Sequence, residues 1–362
     1  MLNLKKQIRT LYITGILGNL SLTGAWVVIL AARGFSLVQI GFAETLFHIT
    51  SLICEIPSGM LADMYGRKKM LVLGNFMAIT GNLVMFLSEE YWMVLLAMPF
   101  HAMAFNFASG SGEALAYDSM VLENKQDGYE KYVSNQSIIY RVANGLSTLA
   151  AGLALYLGYR KAYLISACMG VVTLCFTLTL YEIKGSEKKT HESLFKKLIS
   201  FFVESIKFLY HNSKAAKLMF LNSFVGAVDI LLLFFLQSKL RDAGLSNWIL
   251  GPALFIMELG GIVGARLILK AKKAKYVNVF IICSVGVLVG VLLEHSGVAA
   301  IMVLGGFISA MADDAIQIRT DAKLQDMFPS QQRATLISIS SFTFSVIMIV
   351  LSPLAGYFFS IW

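Results

Sequence analysis

The sequence predicts an all-α integral membrane protein, a bundle of two parallel, pseudo-symmetric six-helix halves with the twelfth helix missing, which leaves eleven spans. Three observations predict it. Of 362 residues, 57% are hydrophobic and only 14% charged, with a mean hydropathy of +0.69, whereas a soluble domain carries about a quarter charged residues. The apolar residues fall in runs of roughly 20, the length that crosses a bilayer as a helix. Features of these runs also recur, in the same order, on either side of a long basic interruption.

Only helices and closed barrels satisfy their backbone inside lipid. Barrel strands alternate polar and apolar over about ten residues, and these runs are longer and do not alternate. Helical spans are therefore expected at 10–32, 37–58, 70–88, 91–113, 133–157, 160–181, 216–238, 246–268, 276–293, 297–318 and 334–360. The start, MLNLKKQIRT, imitates a secretory leader, but the apolar stretch behind it is too long and lacks a cleavage site, so it is read as a retained first span.

The net charge of +8 is topological. With these spans, Lys5, Lys6, Arg9, Arg67 to Lys69, Lys125, Lys131, eight lysines between 184 and 217, Arg266 to Lys275, Arg319, Lys323 and Arg333 fall on one side. Arg33, Arg160, Lys161, Lys239 and Arg241 fall on the other. Basic loops stay in the cytoplasm, which places the N-terminus inside and, with eleven spans, the C-terminus outside. The acidic partner expected is lipid headgroups, not nucleic acid. Cys54, Cys168, Cys175 and Cys283 are scattered in apolar spans with no CxxC pairing and are read as packing residues.

The chain divides into an N-terminal six-helix half (1–182), a cytoplasmic linker (183–217) and a C-terminal half with five spans (218–362). Within the linker, Leu194, Phe195, Leu198, Phe202, Ile206 and Leu209 fall roughly along one helical face among lysines, the pattern of a helix lying flat on a membrane. The repeat pairs Glu113-Ala114-Leu115 with Asp314-Ala315-Ile316, and Gly152 with Gly356. Parallel repeats of this kind occur in one class of transporters. The symmetry calls for a twelfth span beyond Trp362, either dispensed with or truncated.

Between the second and third spans stands GMLADMYGRKKML, Gly59 to Leu71. It resembles the loop signature of the major facilitator superfamily: Gly59, Leu61, Ala62, Asp63, Gly66, Arg67, Lys68 and Leu71 match, and Met64 departs where a base is usual. The six-plus-linker layout extends the resemblance over nearly the whole chain and implies a major-facilitator-type bundle. Gly59 would permit close helix approach, and Gly66 suits a tight turn with positive φ. The resemblance implies that Asp63 accepts hydrogen bonds from the start of the eleventh span. It also implies that Arg67 pairs with an acid at the inner end of the fourth, Asp118 or Glu113. Together these form a latch between the halves. The second-half counterpart, GARLILKAKKAKY from Gly264, has Ile268 in place of the acid.

Ionisable groups at depth are costly and are functional candidates. Glu44 and His48 lie one turn apart on the second span; His101 and Asn106 are on the fourth, Arg141 on the fifth, Asp229 on the seventh, Glu258 on the eighth, and Asp313 and Asp314 on the tenth. A proton-coupled carrier needs carboxyls that are neutral in one orientation, which desolvation and a second nearby acid both favour; Glu44, Asp229 and Glu258 suit that role. Interhelical polar ties are the alternative for each. There is no HExxH, nucleophile elbow, Walker loop or metal-spaced histidine set, so neither an enzyme nor a metal or other cofactor is expected.

The expected function is secondary active transport of a small molecule across the cytoplasmic membrane by alternating access, as proton-coupled export of an amphipathic or drug-like compound. The alternatives are a proton-coupled uptake carrier and a non-transporting membrane sensor on the same fold. The Gly-Pro signature and fourth-span arginine of drug–proton exchangers are not evident, His101 being the nearest to the latter. Substrate and oligomeric state are not legible.

Overall fold

A computed structural model describes residues 3–183, 194–271, 273–327 and 333–361. Among them every regular element is helical: α1 (Leu4–Asn19), α2 (Trp26–Ala32), α3 (Leu37–Tyr65), α4 (Arg67–Leu87), α5 (Tyr91–Ala108), α6 (Ser111–Leu122), α7 (Tyr129–Leu149), α8 (Ala151–Leu157), α9 (Tyr159–Leu178), α10 (Leu194–His211), α11 (Ser213–Asp242), α12 (Asn247–Lys270), α13 (Tyr276–Glu294), α14 (Ala299–Met327) and α15 (Arg333–Ile361).

Among the described residues nine helices are long and apolar enough to cross a membrane, and Gln126–Leu149 with Ala151–Leu157 forms a bent pair that makes up to ten. Each of the nine coincides with an expected span, and the bent pair with that at 133–157. The span expected at 10–32 is instead two helices, of 16 and 7 residues. Its interruption is built by short polar side chains, which compete with helical hydrogen bonds. The Ser21 N–H donates to Ser147 Oγ at 2.8 Å, and Ser21 Oγ lies 2.7 Å from Thr23 Oγ1 and 3.2 Å from Ser166 Oγ.

The helices form two compact units. The first comprises Met1–Gly24, Leu46–Ala150 and Ala154–Phe201. In it α4 packs on α5 and α9, and α1 on α7 and α9. At one end of α1 lies a core of Leu11, Leu115, Ala116, Met120, Tyr132 and Leu180. Buried Gln7 ties this end together, donating to Ser119 Oγ and the Tyr181 carbonyl and accepting from the Tyr181 N–H at 2.9 Å.

The second unit comprises Ala25–Thr45, Ala151–Leu153 and Phe202–Trp362. In it α14 packs against α11, α12 and α13, and α15 against α11. Gly260 and Gly264, one turn apart on α12, face the Phe307 and Met311 carbonyls of α14; small residues let membrane helices approach this closely. Gly152 and Gly356, paired by the repeat, each press on the first residue of another helix, Asn247 of α12 and Leu37 of α3. The face expected in the linker helix is divided: Ile206 is exposed, Leu209 packs near Ala215 and Met219, and the side chains of Leu194, Phe195, Leu198 and Phe202 lie outside the described residues.

Candidate functional site

Two polar centres stand out, one in each unit. In the first, α3 ends at Tyr65 and α4 begins at Arg67, so Gly66 makes the whole turn at φ +106. Only glycine adopts that conformation freely. A side chain there would also meet the Glu182 carboxylate at 2.5 Å. Glu182 accepts from the Lys68 and Lys69 N–H groups at 3.1 and 3.0 Å, satisfying donors that a helix start leaves free and placing negative charge at its positive end.

Beside this cap, Arg67 Nη1 lies 2.9 Å from Asp118 Oδ2 of α6, with side chains 27% and 29% exposed. Asp118, not Glu113, takes the arginine; Glu113 is exposed in the first turn of α6 and acts electrostatically on Tyr129 and Tyr132. No described atom lies within 4 Å of where a Gly59 side chain would start. The side chain of Asp63 lies outside the described residues, and with it the expected staple. Sequence reasoning missed Glu182, whose only signal is an acid closing the sixth span ahead of a lysine-rich linker. Gly66→Ala is expected to strain the turn and displace Glu182, lowering thermal stability of the purified chain by about 1–3 kcal/mol. An unchanged midpoint would show that the cap tolerates a methyl group.

The second centre lies between α11 and α14. Asp229 is 4% exposed and Asp313 8%, and the charges acting on Asp229 are those of Asp313 and Asp314. A chain of amides leads to them: Asn222 Nδ2 donates to Gln317 Oε1 at 2.5 Å, and Gln317 Nε2 donates to Asp313 Oδ1 at 3.3 Å. Ser309 sits beside Asp229, yet Ser309 Oγ, Asp229 Oδ1 and Asn222 Oδ1 are buried with no hydrogen-bond partner among the described residues. All three are oxygens able to accept.

Helical spacing builds this centre. Ser309, Asp313 and Gln317 are four residues apart on one face of α14, as Asn222, Gly226 and Asp229 share a face of α11. Gly226 leaves the room, since a side chain there would strike the Gln317 amide and reach to 3.4 Å from Asp313 Oδ1. Asp314 points elsewhere, onto Gly261 of α12. The sequence singled out the acids but missed Asn222, Ser309 and Gln317, although their spacing was there to find.

With this geometry, residues 11–353 match the Major Facilitator Superfamily. The chain belongs to that superfamily. The uncharacterized MFS-type transporter YxaM of Bacillus subtilis is 24% identical over 329 residues, covering 87% of this chain and 79% of that protein. The inner membrane transport protein YajR of Escherichia coli is 33% identical, but over only 18% of this chain and 15% of its own. Among solved structures, the nucleoside transporter NupG superposes with TM-score 0.77 at 17% identity, over 98% of this chain and 91% of that one. The D-xylose-proton symporter gives 0.70 at 13%, over 96% and 89%. These structural likenesses show the fold. The chain is thus a multi-pass membrane protein of a transporter superfamily.

The other polar residues of this superfamily member have the following surroundings. The His101 ring of α5 packs on Gly81 of α4, its nearest atom 3.0 Å from where a side chain would begin. Asn106 spends its amide donors on Ser51 Oγ at 2.9 Å and the Ala102 carbonyl at 2.8 Å, an interhelical tie. His48 is buried, edge-on to the neighbouring Phe47 ring. Glu44 is half-buried on α3, and Arg141 and Glu258 are exposed on α7 and α12. Sequence reasoning also missed Glu294, buried at the end of α13 with Oε2 3.0 Å from His295 Nδ1. Burial holds the His295 imidazole below the usual histidine range.

Proposed function

We propose that the chain is a proton-coupled secondary transporter of a small polar solute working by alternating access, with Asp229 and Asp313 as its proton acceptors. The observation behind this reading is the buried acid pair, acted on by a third acid and lined by amide and hydroxyl oxygens. Charge within the membrane is expensive, and adjacent acids disfavour double ionisation. A proton is the smallest cation that relieves both costs, and its arrival and departure change what the open acceptors can bind.

The sequence favours export of an amphipathic compound. The buried, unpartnered oxygens of Asn222, Asp229 and Ser309 favour the alternative, uptake of a solute rich in hydrogen-bond donors. The shared fold with a nucleoside transporter and a D-xylose-proton symporter is consistent with that choice. In this reading the N-terminal half (1–182) and C-terminal half (218–362) rock about the connecting segment, and the turn at Gly66, with Arg67 and Asp118, forms part of the latch on the cytoplasmic side. The N-terminus lies on the same side, in the inner membrane.

Proteoliposomes holding the full chain would be given an inward pH gradient and a panel of nucleosides, monosaccharides and lipophilic cations. Accumulation of a polar solute that collapses with a protonophore is the expected result. Gradient-driven extrusion of a lipophilic cation would return the export reading. Flux indifferent to the protonophore would refute proton coupling, and saturable binding without flux would favour the sensor. Separately, Asp118→Ala is expected to cost about 1 kcal/mol, as a part-exposed pair does. A double-mutant cycle with Arg67→Ala checks it; coupling near zero would mean the pair contributes no stability.

A further inference from the structure

Helix α10 presents an apolar stripe that the described residues leave uncovered. Ile199, Val203, Ile206 and Tyr210 are 46%, 44%, 60% and 84% exposed. Their spacing of four, three and four residues puts them on one helical face. Two exposed bases, Lys196 and Lys207, run along one edge of that face, and Lys214 and Lys217 are exposed just beyond on α11. The helix contains one acid, Glu204, which falls on the polar arc away from the stripe.

The level of this helix is set by the span behind it. A single residue, Asn212, separates α10 from α11, itself long and apolar enough to cross a membrane. Asn212 binds back to the Phe208 carbonyl through its N–H at 2.9 Å and its side-chain amide at 3.0 Å. Phe208 and Leu209 then pack on the cluster of Ala215, Met219, Leu324 and Ile339. The end of α10 is therefore anchored at the mouth of a span, where headgroups meet water. Its charged face forbids the hydrocarbon interior, while its apolar stripe is unsuited to bulk water.

We infer that α10 docks on the bilayer surface, burying the Ile199–Val203–Ile206–Tyr210 stripe among acyl chains and setting Lys196, Lys207 and Lys214 against anionic phospholipid headgroups. Apolar insertion beside a basic edge is the pattern of an interfacial helix, and clustered bases near a span favour anionic lipid over zwitterionic lipid.

The test places a spin label at Val203→Cys, and separately at Ile206→Cys, in the full chain with Cys54, Cys168, Cys175 and Cys283 replaced by alanine. The chain is reconstituted in phosphatidylcholine nanodiscs with and without about 30 mol % phosphatidylglycerol. With phosphatidylglycerol, collisions with oxygen should exceed those with a water-soluble nickel chelate severalfold. The ratio should fall when phosphatidylglycerol is omitted or when Lys196→Gln, Lys207→Gln and Lys214→Gln are combined. Nickel access in every lipid would overturn docking. Immersion indifferent to phosphatidylglycerol and to the lysines would overturn the anionic preference, and shielding from both reagents would mean that protein covers the stripe. Should the cysteine-free chain misfold, Tyr210→Trp with brominated phosphatidylglycerol reads the same depth. Quenching above that of the native tryptophans supports docking, and none refutes it.

Discussion

Replacing Asp229 by asparagine is expected to abolish gradient-driven accumulation while leaving exchange of the same solute across the membrane within about threefold of the native rate. The amide keeps the shape of the carboxyl, but it neither takes up nor releases a proton. One proton moving down a one-unit pH gradient supplies about 1.4 kcal/mol, enough for roughly tenfold accumulation. The variant should therefore settle at equal concentrations inside and out. Exchange survives because loaded carriers reorient without a net proton movement. Asp229→Glu should recover part of the accumulation, limited by the close packing of α11 on α14. Asp313→Asn is predicted to show the same split with a smaller loss, since Gln317 already engages its carboxyl. Full accumulation by Asp229→Asn would refute its role as proton acceptor, whereas loss of exchange as well would mark it as a binding residue.

Features set by local constraints were the ones legible in the sequence. The nine spans were legible because lipid demands unbroken apolar helices of roughly 20 residues, and nothing distant alters that demand. The turn at Gly66 was legible because its conformation belongs to one residue. The interruption at 20–25 was not, since Ser21 leaves the helix by binding Ser147 and Ser166, more than a hundred residues away. Glu182 was hidden for the same reason, capping a helix that begins 115 residues earlier in the chain. The acids were conspicuous one by one as charges in apolar runs. Their meeting depends on the packing of α11 on α14 and on the space left by Gly226, and the amides that complete the centre carry no charge to draw notice. His101 and Asn106 had the same intramembrane signal as Asp229, yet they pack or tie neighbouring helices.

Gly264→Leu is expected to be the most damaging single change to the fold. The first carbon of any side chain at 264 would fall on the Met311 carbonyl of α14, and Gly260 one turn earlier faces the Phe307 carbonyl in the same way. A flexible neighbour yields to an intruding methyl group, but a helix carbonyl is fixed by its own hydrogen bonding, so α12 and α14 must separate along this stretch. Overpacking a core costs about 1–3 kcal/mol where side chains can adjust, and backbone against backbone lies at or above the upper end. With roughly 2–4 °C lost per kcal/mol in a unit of this size, the midpoint of the purified chain should fall by about 6–12 °C, or the chain should fail to elute as a single species. Gly264→Ala should fall part of the way, and Gly59→Leu, where no described atom stands within 4 Å, should change the midpoint little. These two glycines occupy corresponding places in the repeat. Equal damage at both would mean that Gly59 also meets a helix in some state of the transport cycle, and tolerance at Gly264 would show that α12 can slide along α14 without unfolding.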